Sequence, residues 1–319
     1  MTGLHMIEVS VIICTRNRAD SLARALNSFN HCQIPTAVNW ELLVVDNNST
    51  DHTEATVRAF QDKLPLRSVF EPLQGINHAR NRGLAEAKGE LLLFTDDDVE
   101  VDKQWLSALW QAARHDPEAV FLGGRIQPRY EAAPPRWFRD NAATVLSAVA
   151  VQFDLGEIER RLTPDDRHLF YGANMAFRSE VFRTGLRFPV STASGTDGRT
   201  LRIRRDETQL LEELRARGCV GRYVPQAVIY HWLTAERLTR AYVRHWFEVD
   251  GIACVELGHV PVRWRCAGVP LKIWWQFAYN HLRYVMLRWI TPSRVWLRPE
   301  TKRAAARGMI QAFRQRANT

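Results

Sequence analysis

Glu90–Thr95 reads ELLLFT and runs straight into Asp96-Asp97-Asp98. Leu91, Leu92, Leu93 and Phe94 form an unbroken apolar run, the pattern of a strand buried on both faces in a parallel sheet. The aspartates end it, because adjacent carboxylates repel one another and resist burial. The same design recurs upstream. Ile7–Thr15 (IEVSVIICT) is apolar and β-branched and stops at Thr15-Arg16-Asn17-Arg18; Trp40–Asp46 (WELLVVD) stops at Asp46-Asn47-Asn48. Between these two, Ala19–Cys32 has helical spacing, with Leu22, Ala25, Leu26 and Phe29 on one face. Ser49 or Thr50 is placed to cap a helix running towards Asp62. Leu66–Glu71 reads as a strand, Asn77–Ala87 and Lys103–Arg114 as helices, and Ala119–Gly123 as a strand. This β-α-β-α alternation predicts an α/β fold, an open, mostly parallel sheet with helices on both faces. Ligands of such sheets bind outside the carboxyl ends of the strands, which is where the polar clusters fall.

Beyond residue 125 the pattern loosens. Gln127–Asp140, rich in Pro, Arg and aromatics, reads as an irregular loop, and Leu169–Phe182 as ordered by its apolar content. Arg187–Arg204 reads as a mobile loop because it is rich in Gly, Ser, Thr and Arg. Asp206–Arg217 reads as a helix ended by Gly218, and Gly221–Tyr230 as a strand. The expected organisation is an α/β half over 1–125, a looser half of the same domain over 126–255, and a helical basic region over 256–319.

Charge separates that last region from the rest. The chain has 319 residues and net charge +8. Residues 260–319 hold twelve Lys/Arg and one acid, Glu300, a net +11; the preceding residues hold 31 basic and 34 acidic side chains, a net −3. Five of the eleven tryptophans, Trp264, Trp274, Trp275, Trp289 and Trp296, sit in the same stretch. Tryptophan prefers the lipid headgroup region and Lys/Arg meet acidic lipid, so an anionic membrane surface is the expected partner, with nucleic acid the competing one. Residues 269–290 read as a helix starting near Pro270. Leu271, Trp274, Trp275, Ala278, Leu282, Val285, Met286 and Trp289 share one face. Lys272, Gln276, Asn280 and Arg283 form a narrow polar stripe, with Ile273, Phe277 and Tyr284 beyond it. Such a helix is either packed in protein or laid into a membrane interface.

The composition, 46% hydrophobic and 24% charged, excludes a wholly disordered or collagen-like chain. Apolar stretches are too short or too interrupted to span a bilayer, and the first residues do not read as a secretory signal. Cys14, Cys32, Cys219, Cys254 and Cys266 are scattered, without Cys-x-x-Cys spacing, as expected of reduced thiols in a cytosolic compartment. No Gly-x-Gly-x-x-Gly follows the first strand, and there is no Walker lysine loop or Gly-x-Ser-x-Gly elbow.

What remains is a set of strand-end carboxylates. A divalent cation makes the Asp96–Asp98 run tolerable, and on an extended segment Asp96 and Asp98 point the same way. The competing reading is a solvated acidic turn. Asp46 can accept from a base N–H or a ribose hydroxyl, or simply form a turn. His231 is a packed histidine unless the fold brings it beside Asp98. Asp206 and Glu207 open a helix, where negative charge is favourable; either could also take a proton from an acceptor hydroxyl.

These residues resemble a known family. Val11–Arg18 and Val44–Asp51 are similar to the start of family 2 glycosyltransferases with the GT-A fold. Gly75–Gly83 resembles their Gly-rich segment, Phe94–Val99 their Asp-x-Asp motif, Tyr171–Arg178 their acceptor-side segment, and Arg205–Leu210 the helix start that carries the base. The resemblance implies that Thr15, Arg18 and Asp46 line the nucleoside pocket, with Arg80 near the base or diphosphate. It implies Asp96 and Asp98 as the Asp-x-Asp pair, Asp98 nearer the metal, and His231 as a further ligand. The family order of Glu then Asp is reversed here, so Glu207 takes the base slot by position and Asp206 by identity. Gly185-Leu186-Arg187-Phe188 also departs from the family's Gly-Gly-Phe-Asp. The implied reaction is inverting transfer from a nucleotide-diphosphate sugar, UDP-linked by family habit, to a hydroxyl of a glycan or lipid-linked acceptor, with Mg²⁺ or Mn²⁺. The implied place is cytoplasmic, peripheral at the inner face of the cell membrane, with no nucleic acid partner. Two alternatives stand beside it: a nucleotidyltransferase, which would want a glycine-rich loop where Thr15–Arg18 has none, and a non-catalytic binding module.

Overall fold

The computed structural model describes residues 7–317, apart from 37, 150, 167, 169, 191–205, 257, 259 and 261–263. They form two compact units, one of residues 7–128, 152–190 and 206–232, the other of residues 129–151 and 233–317. In chain order the elements are β1 (Val9–Thr15), α1 (Ala19–Phe29), β2 (Trp40–Asp46), α2 (Thr53–Arg58), β3 (Leu66–Phe70), α3 (Ile76–Glu86), β4 (Leu91–Asp96), β5 (Val99–Val101), α4 (Trp105–His115) and β6 (Ala119–Tyr130). Next come α5 (Arg136–Arg139), α6 (Ala142–Val149), β7 (Arg160–Leu162), β8 (Asn174–Arg178), α7 (Glu180–Arg183), α8 (Asp206–Ala216) and β9 (Val220–Leu233). The chain ends with α9 (Arg240–Glu256), β10 (Arg265–Cys266), β11 (Val269–Pro270), α10 (Leu271–Leu287) and α11 (Ser293–Ala317).

Among the described residues the first nine strands form one sheet in the order β3-β2-β1-β4-β8-β6-β9-β5, with β7 paired to β9. The β3-β2-β1-β4 half is parallel. β8 pairs antiparallel with both β4 and β6, and β9 with both β5 and β7. Every residue of β1 is buried, as its continuous apolar run requires. α1 buries Leu22, Ala25, Leu26 and Phe29, the face read from the sequence. α3 approaches β1 closely at Gly83, where a β-carbon would stand 2.6 Å from Ile12 Cγ2. Asn174 fastens the antiparallel half from within. Its Nδ2 donates to the Arg125 and Ala227 carbonyls and its Oδ1 accepts from Trp105 Nε1.

The α/β alternation is present as the sequence predicts. Three stretches differ. α2 begins at Thr53, whose N–H donates to Asp51 Oδ1 rather than to Ser49 or Thr50, and ends at Arg58, short of Asp62. Gln127–Tyr130, expected in a loop, continues β6 through Pro128, and the next N–H, of Glu131, donates to the Leu233 carbonyl at 3.0 Å. Pairing outweighs local composition there, and α5 then forms inside the stretch expected to be irregular. β5 was hidden behind the aspartates, because three residues are too few to show a period.

The second unit is mainly helical. Phe138, Val145, Leu233, Val243, Tyr284 and Leu297 form one apolar cluster, and Val255, Val269, Ile273, Ile310 and Phe313 another. Two glycines let α9 and α11 touch backbone to backbone. A β-carbon on Gly251 would meet the Ala305 carbonyl at 2.0 Å, and one on Gly308 the Glu248 carbonyl at 1.9 Å. Glu300, the single acid of the basic stretch, is buried and paired with Arg240 at 2.9 Å. α10 follows Pro270 as expected, but its polar stripe is not all polar in use. Asn280 is buried and donates to the Gln276 carbonyl, and Ile273 and Tyr284 are buried beside it. Among the described residues no helix is long and apolar enough to cross a membrane.

Candidate active site

Strand register builds the site. β1 and β2 end side by side, Thr15 opposite Asp46, while Cys14 lies opposite Asp96 of β4. β5 pairs with β9 so that Val99 lies opposite His231, and the Trp232 N–H donates to the Asp98 carbonyl at 2.9 Å. Thr15, Asp46, Asp96, Asp98 and His231 therefore gather at one end of the sheet. His231 Nε2 is 3.5 Å from Asp98 Oδ1, and both side chains are nearly buried. The sequence condition for His231, proximity to Asp98, is met.

The middle aspartate has the role that sequence reasoning missed. Asp97 is buried, its Oδ2 accepts from Thr15 Oγ1 at 2.8 Å, and its Oδ1 accepts from Arg18 Nη1 at 2.9 Å. The same Arg18 nitrogen donates to Asp98 Oδ2 at 3.1 Å. Thr15 and Arg18 thus brace the aspartate turn. β4 stops at Asp96 and a turn begins at Asp97, so the side-chain alternation expected of Asp96 and Asp98 does not carry past the strand's last residue. Burial pushes the Asp97 carboxyl up to about 6, with Asp98 adding to it and Arg18 opposing. Burial works against the Arg18 charge too, but Asp97 and Asp98 outweigh it and its pKa rises. One Arg18 nitrogen thus faces two carboxylates.

Asp46 accepts the Ser49 N–H on Oδ1 at 2.9 Å, the turn geometry open to it from sequence. Its neighbour Asn47 is buried and ties three segments together. The Asn47 N–H donates to the Thr15 carbonyl, its Nδ2 to the Glu71 and Leu73 carbonyls, and its Oδ1 accepts from the Gly75 N–H. Gly75 sits at φ 144, where a side chain would be strained.

Arg80 is buried on α3, with its guanidinium over the Phe188 ring at 5.4 Å. Gly172 makes room for it: a β-carbon there would lie 2.1 Å from Arg80 Nη2. Burial pushes the nearby Cys14 thiol up to about 12, against the pull of Arg80. Asn77 and Asn81, one turn apart on α3, clasp the altered 185–188 motif. Asn81 donates to the Phe188 carbonyl and accepts its N–H, and Asn77 donates to the Pro189 carbonyl. The loop expected over Arg187–Arg204 lies outside the described residues from 191 onward. Asp206 and Glu207 open α8 as expected, and their side chains also lie outside the described residues.

Carboxylate oxygens at Asp96 and Asp98 with one imidazole nitrogen suit Mg²⁺ or Mn²⁺. The approach of Asp98 Oδ1 to His231 Nε2 fits such an ion. Among the described residues no three His, Cys, Asp or Glu side chains converge into a complete cage.

The sequence profile of glycosyl transferase family 2 matches residues 10–186, more than half of the chain and all of the strand-end cluster except His231 and the start of α8. The chain belongs to glycosyl transferase family 2. Among its relatives is the succinoglycan biosynthesis protein ExoM of Rhizobium meliloti (strain 1021), 30% identical over 135 residues, 42% of this chain and 43% of that protein. Another is the GalNAc(5)-diNAcBac-PP-undecaprenol beta-1,3-glucosyltransferase of Campylobacter jejuni, 34% identical over 119 residues, 36% of this chain and 38% of that protein. The alignments thus span less than half the length of these relatives. In fold, this family 2 chain is similar to the mannosyltransferase PcManGT from Pyrobaculum calidifontis in complex with GDP-Man and Mn²⁺. The TM-score is 0.56 at 19% identity, covering 97% of this chain and 88% of that one. It is also similar to S. aureus TarS 1–349 in complex with UDP-GlcNAc, with TM-score 0.50 at 22% identity, covering 80% and 68%. The fold is therefore the GT-A fold.

Proposed function

We propose that the protein transfers a sugar from a nucleotide-diphosphate sugar to a hydroxyl of a glycan or lipid-linked acceptor, with inversion and with Mg²⁺ or Mn²⁺. The observation that carries this is the meeting of Asp98 and His231 beside Asp96, Thr15 and Asp46 at the carboxyl ends of β1, β2 and β4. Asp98 and His231 would hold the ion, and when bound it would supply Lewis-acid stabilisation to the departing diphosphate. Thr15, Arg18 and Asp97 position Asp98. Asp46 and Asp96 stand where a nucleoside's ribose and base hydrogen bonds would be read, and the buried Arg80, held over Phe188, supplies a fixed positive charge for the base or diphosphate. A carboxylate at the start of α8, Glu207 or Asp206, takes the acceptor's proton as its oxygen bonds to the anomeric carbon. The bond from that carbon to the phosphate oxygen breaks, and its electron pair leaves with the diphosphate. Direct attack from the opposite face inverts the carbon.

In this reading residues 1–125 hold the donor and 126–255 the acceptor and base. Residues 260–319 keep the chain at an anionic membrane, at its inner face, without nucleic acid. ExoM's part in succinoglycan biosynthesis and the undecaprenol diphosphate named for the Campylobacter relative support a polysaccharide or lipid-linked acceptor. UDP-GlcNAc and GDP-Man with Mn²⁺ on the two structural neighbours support the donor class and the metal. The test is release of UDP or GDP from a panel of sugar nucleotides, with and without lipid-linked acceptor and Mn²⁺. Release that never depends on an acceptor would defeat transfer and favour hydrolysis. Incorporation of the nucleotide itself into product would mean nucleotidyl transfer.

A further inference from the structure

Within the second unit, α9, α10 and α11 enclose a cavity of about 680 Å³. Each helix gives it one face. Ala241, Arg244, His245 and Glu248 recur at helical spacing on α9, as do Trp274, Phe277 and His281 on α10. On α11, Arg303, Arg307, Ile310 and Arg314 do the same. Four guanidiniums, one from α9 and three from α11, thus line the cavity with a single carboxylate, Glu248, which is engaged by Arg307 at 3.5 Å. The other acid nearby, Glu300, is buried, paired with Arg240 at 2.9 Å and approached by the cavity's Arg244 at 4.0 Å, which leaves Arg303 and Arg314 facing the cavity without a carboxylate partner among its lining residues.

The rings set the arginines. Arg314 lies over Trp274 at 5.3 Å, and Arg303 lies over Tyr284 at 4.4 Å with Nη1 3.3 Å from His281 Nδ1. A stacked guanidinium keeps its plane fixed and presents its N–H edge sideways, the geometry that grips phosphate oxygens. Like charges gathered in this way repel until an anion joins them.

The adjoining face of α10 says where that anion comes from. Leu271, Trp275, Leu282 and Met286 recur at helical spacing and are at least half exposed, at 50%, 64%, 59% and 61%, and Trp289, in the turn just after the helix, is 76% exposed. Lys272 and Arg283 flank this stripe on the side away from the cavity. Tryptophan and aliphatic side chains beside arginine, with no exposed acid on the helix, match a lipid headgroup boundary. We infer that the cavity among α9, α10 and α11 is a binding site for the phosphate group of an anionic lipid, whose acyl region meets the apolar stripe of α10. This rests on the membrane association proposed for residues 260–319 and converts it from a diffuse charge attraction into a specific site.

The test uses the full chain and charge-matched variants. Arg303→Gln with Arg314→Gln removes two cavity charges, whereas Arg298→Gln with Lys302→Gln removes two exposed charges from the same helix outside it. Binding to phosphatidylcholine vesicles containing phosphatidylglycerol should weaken about tenfold or more in the cavity variant and only about two- to threefold in the control. Arg303→Lys with Arg314→Lys keeps the charge but loses the planar fork, and should also bind more weakly than the wild type. Inorganic pyrophosphate should compete with the vesicles for the wild type. Equal weakening in both Gln variants would overturn the site and leave only net charge. Pyrophosphate that binds the cavity without displacing vesicles would overturn the lipid assignment. Nucleotide-sugar turnover on a water-soluble acceptor, measured in parallel, should be unchanged in all three variants. Loss of the proposed transferase reaction in the wild type would therefore be seen apart from loss of the lipid site.

Discussion

At the residue scale, the site hangs on a side chain that spacing did not single out. An Asp-x-Asp reading draws the eye to Asp96 and Asp98, yet Asp97 is the buried member that Thr15 and Arg18 grip. Its signal was absent from the sequence because it depends on where the strand ends, and strand ends are set by pairing. Asp97→Ala strips a buried acceptor from Thr15 and a partner from Arg18. Thermal or denaturant unfolding should show a loss of about 2–3 kcal/mol, while Asp97→Asn, which keeps an acceptor oxygen, should lose less. Equal losses would mean that Asp97 merely fills space. The thiols give a second check. Burial lifts Cys14 and Cys32 to about 12, above the ordinary thiol value. A raised pKa leaves on the order of one thiolate in ten thousand at pH 8. Iodoacetamide at that pH should label exposed Cys266 and leave Cys14 and Cys32 until the protein is unfolded, as read by peptide mass spectrometry. Early labelling of Cys14 would show that the strand end is open to solvent.

At the element scale, the parallel half of the sheet was legible because its strands are continuous apolar runs and its helices carry one apolar face. The antiparallel half was less so. β5 has three residues, β6 runs through a proline, and β9 was read shorter than it is because polar residues end its apolar core. His231 reaches Asp98 only through the β5–β9 register, which no local pattern encodes. α10 shows the same limit: its composition allowed a packed helix or an interfacial one, and the structure has it packed along Ile273, Asn280 and Tyr284 with an apolar stripe outward. A close approach within the sheet lies at Gly124 of β6, where a β-carbon would stand 1.9 Å from the Ala227 carbonyl of β9. Gly124→Ala should cost roughly 2–3 kcal/mol through forced backbone shift. It should lower Tm by roughly 5–10 °C, given the usual sensitivity of a domain of this size. An unchanged Tm would mean that β6 and β9 can separate without penalty.

At the scale of the whole molecule, two physical regimes sit in one chain. The first unit concentrates carboxylates at strand ends, and the end of the chain concentrates cations and tryptophan. That division was visible in the charge count alone, whereas the pairing of Glu300 inside the helices, which leaves the outer surface of residues 260–319 without an acid, was not. The base is assigned by kinetics. Glu207→Gln should lower kcat by about 10²–10⁴-fold with donor binding unchanged. The same loss in Asp206→Asn, with Glu207→Gln active, would move the role to Asp206. The central claim, that Asp98 and His231 hold a divalent ion for glycosyl transfer, is tested most directly by acceptor-dependent release of nucleotide diphosphate in the Asp98→Asn variant with Mn²⁺ supplied. We predict turnover at least about a hundredfold below the wild type, with a cooperative unfolding transition retained at a cost of roughly 1–3 kcal/mol for the weakened Arg18 contact, and wild-type turnover abolished by EDTA and restored by Mn²⁺. Wild-type turnover in EDTA, or full activity of Asp98→Asn, would contradict the account.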